Sequence, residues 1–234
     1  MTERAGAAVS RSPARFAIGP SVVEWRGDTL RIAFRERTAP IPRRIEGEIL
    51  IEPEAFSREG FVLDDQALHL WAPIAPRARV SFHGRDPAVT WSGEGYLDSN
   101  IGEEPLEHGF HDWSWSRAHV PGETVLFYDA NCRSGARHQT CLRVLPSGAM
   151  ERIDPAPSHV LPRGFWGVGR RVRSDGAPRL IKTLEDAPFY LRSAVAGAIG
   201  GRPTTIMHES LSLGRLRSPI VKAMLPFRMP RRFW

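Results

Sequence analysis

The sequence predicts an all-β protein, a barrel or sandwich of short antiparallel strands with one short helix near its C-terminus. Segments in which apolar and polar residues alternate recur along the chain, and this alternation has the period of a half-buried strand. The 20 Pro and 21 Gly residues provide frequent turns between such segments. Only residues 219–225 have a helical pattern, and Pro219 suits the first turn of a helix.

The strand predictions follow this alternation in chain order. Residues 29–35 alternate most clearly, and residues 45–51 continue the pattern until Pro53 ends it. The other predicted strands are residues 77–82, 125–128, 140–144, 166–172, 180–182 and 204–211. Many short strands at fairly regular spacing are typical of a barrel or sandwich. A Pro-Gly turn at residues 121–122 follows the densest aromatic region, so we predict two β subdomains, residues 1–122 and 123–234.

Composition narrows the class of protein. The chain has 234 residues, 41% of them hydrophobic, which excludes a disordered chain and is enough for one large domain or two small ones. The formal net charge is +6, yet no nucleic-acid-binding motif is present, so we predict no nucleic-acid partner. Two cysteines, Cys132 and Cys141, are too few for a disulfide framework and favour a reducing compartment. No signal peptide or membrane-spanning segment is evident, so a membrane role would be peripheral.

The chemically informative stretch runs from residue 69 to residue 117. Four of the seven Trp residues lie within it, together with a few carboxylates, which is the composition of an apolar pocket with sparse polar groups. On a strand, Tyr96 and Asp98 would face the same side. A carboxyl group in aromatic surroundings has a raised pKa, as a general acid near neutral pH requires. Aromatic faces nearby could stabilise a developing carbocation.

Plainer interpretations stay open for each of these residues. Asp98 begins an Asp-Ser-Asn run that is ordinary turn chemistry, and the Trp side chains would equally suit a hydrophobic core. Residues 108–112 contain two His and an Asp, but they form an incomplete set of metal ligands. His208 could be a paired structural histidine as readily as a functional one.

Several separated motifs, in a consistent order, resemble the bacterial acyclic carotenoid 1,2-hydratases, also called hydroxyneurosporene synthases. The resemblance covers most of the chain. Its motifs lie at residues 16–21, 25–28, 40–44, 75–78, 95–102, 105–107, 184–190, 208–211 and 225–232.

This resemblance implies a lipocalin-like β architecture and a cofactor-independent addition of water to the terminal C1=C2 bond of acyclic carotenoids such as lycopene and neurosporene. It implies that Asp98 is the acid that protonates C2, with water then capturing the C1 cation. Trp71 and Tyr96 are expected to stabilise the cation, and His69 to orient water or the carboxylate. The alternative is a non-catalytic lipocalin-like protein that binds or carries an apolar ligand.

The resemblance also has implications for the start of the chain and for the cellular location of the protein. Family members begin with an additional N-terminal region rich in Gly, Tyr and Trp, so we expect the first subdomain to be incomplete at its start. The C-terminal residues 215–234 alternate basic with apolar side chains, a composition that favours contact with anionic lipid. We therefore expect a cytoplasmic protein peripherally associated with the inner or photosynthetic membrane of a phototrophic bacterium. The sequence indicates neither the preferred carotenoid nor the oligomeric state.

Overall fold

Strands follow one another along most of the chain. The structure, a computed structural model, describes residues 5–38 and 41–225. Its earlier strands are β1 (Val9–Ser12), β2 (Arg15–Ile18), β3 (Ser21–Arg26), β4 (Thr29–Arg37), β5 (Arg44–Pro53), β6 (Phe61–Val62), β7 (His69–Asp86) and β8 (Ala88–Gly102). The later strands are β9 (Phe110–Val120), β10 (Glu123–Cys132), β11 (Arg137–Val144), β12 (Met150–Arg152), β13 (Ser158–Leu161), β14 (Arg170–Arg173), β15 (Arg179–Asp186), β16 (Tyr190–Ile199) and β17 (Arg202–Ser212).

Helical segments are few and short. They are a 3-10 turn at Gly6–Ala8, α1 (Leu106–Gly109), α2 (Leu213–Leu216) and α3 (Pro219–Met224). Helix α3 confirms the short helix predicted near the C-terminus. Within residues 5–38 and 41–225, no helix has both the length and the hydropathy that crossing a bilayer requires.

The strands pair antiparallel into two main sheets, which confirms the all-β prediction. The first sheet has the order β1-β2-β3-β4-β5-β7, with β6 and β8 also pairing with β7. The second has the order β12-β11-β10-β9-β17-β16-β15, and β13 pairs separately with β14. Most of these pairs join strands that are consecutive in the chain, as expected for strands separated by tight turns.

The chain divides into two units, but not at the predicted boundary. Among the described residues, the first unit contains those up to Phe56, Ala75–Leu97 and residues 224–225, and the second contains Ser57–Ile74 and Asp98–Ala223. The predicted boundary after residue 122 instead falls in the turn between β9 and β10, where Val120 pairs with Glu123. Gly122 has a φ of 78° there, which suits the third position of a Pro-Gly turn. The Pro-Gly pair therefore marks a hairpin inside the second unit.

Alternation along the strands of the second sheet separates its two faces. One face carries a cluster of buried hydrophobic residues of the second unit, which contains Ala118, Val120, Val125, Phe127, Cys141, Ala156, Val172, Val195, Ile199 and Ile206. Residues of opposite parity on the same strands, among them Trp115, Tyr128 and Glu209, lie on the other face. This second face holds the polar and aromatic groups of the candidate site.

One strand prediction was partly wrong because a loop has a strand-like composition. Residues 166–172 were predicted as one strand, but only residues from Arg170 onward belong to one, β14. The preceding residues form a turn in which the N–H of Gly167 bonds the carbonyl of Gly164 at 2.9 Å. The carboxylate of Asp186 accepts a 2.6 Å bond from the backbone N–H of Phe165. A side chain distant in sequence thus stabilises the loop.

Candidate functional site

The four predicted site residues lie on two strands. His69 and Trp71 are two residues apart at the start of β7, and Tyr96 and Asp98 are two residues apart in β8. Alternation places each pair on one side of its strand. Trp71 and His69 are buried, whereas Tyr96 and Asp98 are half-buried. Asp98 is therefore a strand residue, and the turn interpretation of the Asp-Ser-Asn run is wrong.

A direct hydrogen bond joins two of these residues. The indole Nε1 of Trp71 donates to the carboxylate oxygen Oδ2 of Asp98 at 2.9 Å. A carboxyl group accepts a hydrogen bond from such a donor in both its neutral and its ionised form. The same donor stabilises the carboxylate that remains once the proton has left, because hydrogen bonds to an ionised acceptor are the stronger ones.

His69 is held by hydrogen-bonding groups at both ring nitrogens. Its Nδ1 forms a short hydrogen bond with Asp64 Oδ2, and its Nε2 lies 3.3 Å from the carbonyl oxygen of Glu104. Asp64 is itself anchored, because its Oδ1 accepts a 2.9 Å bond from the backbone N–H of Leu68. The ring of Phe110 packs edge-on against the imidazole, with centroids 4.7 Å apart. These contacts give His69 a fixed orientation two residues before Trp71.

Ring contacts link His69 and Trp71 into a larger group, which we call the aromatic chain. It runs through Phe61, Trp71, Tyr128, Trp113, Phe110 and His69. The centroids of Trp71 and Tyr128 are 5.1 Å apart, and those of Tyr128 and Trp113 are 5.6 Å apart. Faces of Trp and Tyr rings attract cations through their quadrupoles. The aromatic chain thus includes Trp71, the donor to Asp98, and adds to it further rings suited to a developing positive charge.

Tyr128 is the buried phenol of this chain. Its side chain is 3% exposed, and its hydroxyl has no hydrogen-bond partner within the described part of the chain. Burial raises the pKa of Tyr128 well above its ordinary value, and the negative charges of Asp98 and Glu209 add to the shift. The phenol therefore stays protonated at any physiological pH and can both donate and accept a hydrogen bond.

Glu209 is the second carboxylate on this face. Trp115 pairs in register with Tyr128 on one side and with Glu209 on the other, so the three side chains form a row on one face of the sheet. Arg192, opposite Glu209 on β16, holds the carboxylate oxygen Oε1 with its Nε at 2.9 Å and its Nη2 at 2.8 Å. The guanidinium orients this half-buried carboxylate through its two contacts with Oε1.

His208 lies on the opposite face from Glu209, although the two are neighbours in sequence. Its ring nitrogens lie 2.9 Å from the Ser116 hydroxyl and 3.0 Å from the Ser210 hydroxyl. Burial lowers the pKa of His208 to about 3, so the ring is neutral. The sequence left open whether His208 is a structural or a functional histidine. A neutral, fully buried ring between two hydroxyls has a structural role.

Other predicted features have simpler outcomes. Cys132 and Cys141 are free and buried, and burial raises the pKa of Cys141 to about 11. In the described ranges no three His, Cys, Asp or Glu side chains are grouped so as to hold a metal ion, and this covers residues 108–112. The basic C-terminal segment lies largely outside the described residues, which end at residue 225.

Sequence reasoning missed Asp64, Tyr128 and Glu209. Asp64 contacts His69 from five residues away, across a turn that no motif marks. Tyr128 lies in a predicted strand, but only the register of β10 against β9 shows which way it faces. Glu209 lies beside His208 in one of the motifs that carry the family resemblance. Alternation along a strand predicts that these two side chains face opposite sides of the sheet.

Comparison with known proteins extends this description. A family model described as carotenoid hydratase CrtC matches residues 1–234. The chain is 47% identical to the acyclic carotenoid 1,2-hydratase of Thiocapsa roseopersicina over 234 residues, covering 99% of this chain and 58% of that protein. It is 40% identical to the same-named protein of Rubrivivax gelatinosus over 235 residues, covering 99% of this chain and 58% of that protein. The chain thus spans less than two thirds of the length of these two relatives.

A shorter relative and a solved structure complete the comparison. The acyclic carotenoid 1,2-hydratase of Cereibacter sphaeroides is 36% identical over 235 residues, and the match covers 99% of this chain and 84% of that protein. A crystal structure of a protein described as AttH from Nitrosomonas europaea matches with a TM-score of 0.57 at 13% identity, covering 90% of this chain and 74% of that chain. At that identity the likeness shows the fold alone, and it confirms the predicted lipocalin-like architecture.

Proposed function

The chain belongs to the carotenoid hydratase CrtC family, and on this basis we propose that it adds water to the terminal C1=C2 double bond of an acyclic carotenoid. Lycopene and neurosporene are the substrates that we propose. The observation that carries the proposal is the 2.9 Å hydrogen bond from Trp71 to Asp98, made beside a continuous chain of aromatic rings. It unites an acid, a stabiliser of its conjugate base and faces that attract a cation.

The reaction begins with proton transfer from Asp98. The π electrons of C1=C2 take the proton from the carboxyl group to form a C–H bond at C2, which leaves a tertiary cation at C1 and a carboxylate at Asp98. The indole N–H of Trp71 stabilises that carboxylate. The rings of Trp71, Tyr128 and Trp113 stabilise the cation. Water then forms a C–O bond at C1 and loses a proton, which gives the tertiary alcohol.

The remaining predicted residues position this machinery. His69, fixed by Asp64 and by the Glu104 carbonyl, holds the first residues of β7 so that the Trp71 indole faces Asp98. Tyr96 presents its ring on the side of β8 that carries Asp98. We also propose that the protein works at a membrane surface on the cytoplasmic side, because an acyclic carotenoid dissolves in the hydrocarbon region of a bilayer.

Replacement of the acid tests the proposal. The chain is incubated with lycopene or neurosporene in detergent micelles, and the 1-hydroxy product is identified by chromatography and mass. We expect product from the unmodified chain, none from Asp98→Asn, and an unchanged yield from Asp154→Asn, which alters an exposed loop aspartate. Carotenoid binding should survive in Asp98→Asn.

Two results would contradict the proposal. Hydration by Asp98→Asn at the unmodified rate would show that another group is the acid. Carotenoid binding without product, even from the unmodified chain, would favour the alternative of a lipocalin-like carrier.

A further inference from the structure

The proposed reaction leaves a proton to be returned. After each turnover Asp98 is a carboxylate, and the water that captured the cation has released a proton. Asp98 must recover a proton before it can act again. The inference below rests on the proposed function, because it concerns how that proton travels.

Three side chains connect the site to a second carboxylate. Trp71 contacts both Asp98, through its N–H, and the ring of Tyr128. From Tyr128 the row on the second sheet continues through Trp115 to Glu209. Tyr128 and Glu209 are two strands apart, which is about 10 Å between backbones. Both side chains lie on the same face of the sheet, and the negative charge of Glu209 acts on the Tyr128 phenol, whose pKa it helps to raise.

Tyr128 has the properties of a link between these carboxylates. Its hydroxyl lies within a buried side chain and has no protein partner among the described residues, which is unusual for a buried polar group. Such a hydroxyl can accept a proton on its oxygen while it donates its own proton. It therefore passes a proton on without forming a stable charged intermediate. Burial, and after it the neighbouring negative charges, oppose its ionisation, so it would act by concerted exchange.

We propose that Glu209 is the base that accepts the proton released by the captured water, and that the Tyr128 hydroxyl returns this proton to Asp98. Arg192 orients Glu209 from the neighbouring strand through its two contacts with Oε1. Arg192 and Tyr128 are positioning and relay groups, and Glu209 is the second carboxylate of an acid–base pair.

The steps balance in atoms and charge. Asp98 gives one proton to C2, and water gives its oxygen and one hydrogen to C1. The second hydrogen of the water passes to Glu209. Glu209 then gives a proton to the Tyr128 oxygen as the Tyr128 hydroxyl proton passes to Asp98. Asp98 ends protonated and Glu209 ionised, as they began, and no oxidant or further reactant is needed.

The experiment compares three variants with the unmodified chain in the hydration assay over a range of pH. Glu209→Gln removes the base, and Tyr128→Phe removes the hydroxyl while keeping the ring that contacts Trp71 and Trp113. Glu185→Gln is the matched control, because Glu185 also pairs with Arg192 across the strands but lies on the far side of it from Tyr128. Carotenoid binding is measured for each protein by the shift of its visible absorption.

We expect Glu209→Gln to lower kcat by about 100-fold or more, the size of a general acid–base contribution, with KM within about twofold. The pH profile of Glu209→Gln should differ in shape from that of the unmodified chain, because an amide side chain cannot act as a base. Tyr128→Phe should lower kcat by about tenfold or more. Glu185→Gln should match the unmodified chain. A merely structural Glu209 would not change the shape of the pH profile.

Failures of the two proposals are distinguishable. If the unmodified chain gives product and Glu209→Gln keeps its rate and its pH profile, the relay is refuted while the hydratase function stands. If Glu209→Gln and Glu185→Gln lose activity equally, the loss comes from disturbing Arg192, which both residues pair with, and the relay is again refuted. If the unmodified chain gives no product, the proposed function fails, and the relay fails with it.

Discussion

Replacing Gly102 with alanine should destabilise the second unit by overpacking the site histidine. A Cβ atom at Gly102 would lie 2.8 Å from His69 Cδ2, a distance that real Cβ atoms essentially never show, and 3.3 Å from Nε2, which is also tight. Movement of the ring away from Gly102 is opposed by the backbone of Gly109, which lies beside the Cε1 edge of the ring. Asp64 and Phe110 fix the ring from other directions. In Gly102→Ala, the backbone at residue 102 or the imidazole ring of His69 must therefore shift.

The expected cost follows from this crowding. Extra carbon atoms forced into a well-packed region cost about 1–3 kcal/mol, and each kcal/mol lowers the melting temperature of a chain this long by about 2–4 °C. Gly93→Ala is the matched control, because Gly93 lies on the same strand and a Cβ atom there would meet no atom within 4 Å. That variant should be neutral or stabilised by up to about 1 kcal/mol, since alanine restricts the unfolded chain.

Thermal unfolding followed by circular dichroism compares the two variants. Gly102→Ala should melt several degrees below the unmodified chain, whereas Gly93→Ala should melt at or slightly above its temperature. Hydration should also fall in Gly102→Ala alone, because a displaced His69 moves the start of β7 and with it the Trp71 indole. Equal melting temperatures for the two variants would refute the conclusion that His69 is rigidly enclosed.

Two further predictions concern the indole donor and the buried histidine. Trp71→Phe removes the N–H that donates to Asp98. The kcat for hydration should fall by about tenfold or more, as expected for loss of a hydrogen bond to a charged group. An unchanged kcat would show that this hydrogen bond does not stabilise the transition state. His208 has a pKa lowered to about 3 by burial, so the unfolded chain binds a proton that the folded chain does not, and the free energy of unfolding should fall as pH drops from about 6.5 toward 3. Denaturant titrations should show this fall, and His208→Gln should flatten it; an identical slope in the variant would assign the fall to other groups.

Strand prediction succeeded where local alternation reflects a half-buried surface. Residues 29–35, 45–51 and 204–211 lie within β4, β5 and β17, because each has one face toward apolar neighbours and the other toward polar ones. Strand β16 escaped prediction, since its run of Ala and Gly residues has little contrast between its two faces. The loop before β14 was mistaken for a strand because its stabilising bonds come from Asp186, which local sequence cannot show.

Part of the candidate site was also predictable, because it depends on local features of the sequence. The aromatic density of residues 69–117 and the two-residue spacing of Tyr96 and Asp98 are local properties, and motifs in a consistent order indicated the family. The partners of these residues are not local. Trp71 reaches Asp98 across 27 positions of sequence, and Tyr128 comes to Trp71 from a different sheet. No pattern within a window of the sequence specifies such contacts.

The sequence by itself determined the fold class, the short terminal helix and the family, because strand period, turn residues and ordered motifs are all written along the chain. The tertiary structure alone decided where the chain divides, which way His208 and Glu209 face, and that Asp64, Tyr128 and Glu209 accompany the predicted residues. The physical reason is register. A shift of one residue between paired strands moves every side chain to the opposite face, and register is set by contacts among strands rather than by any one of them.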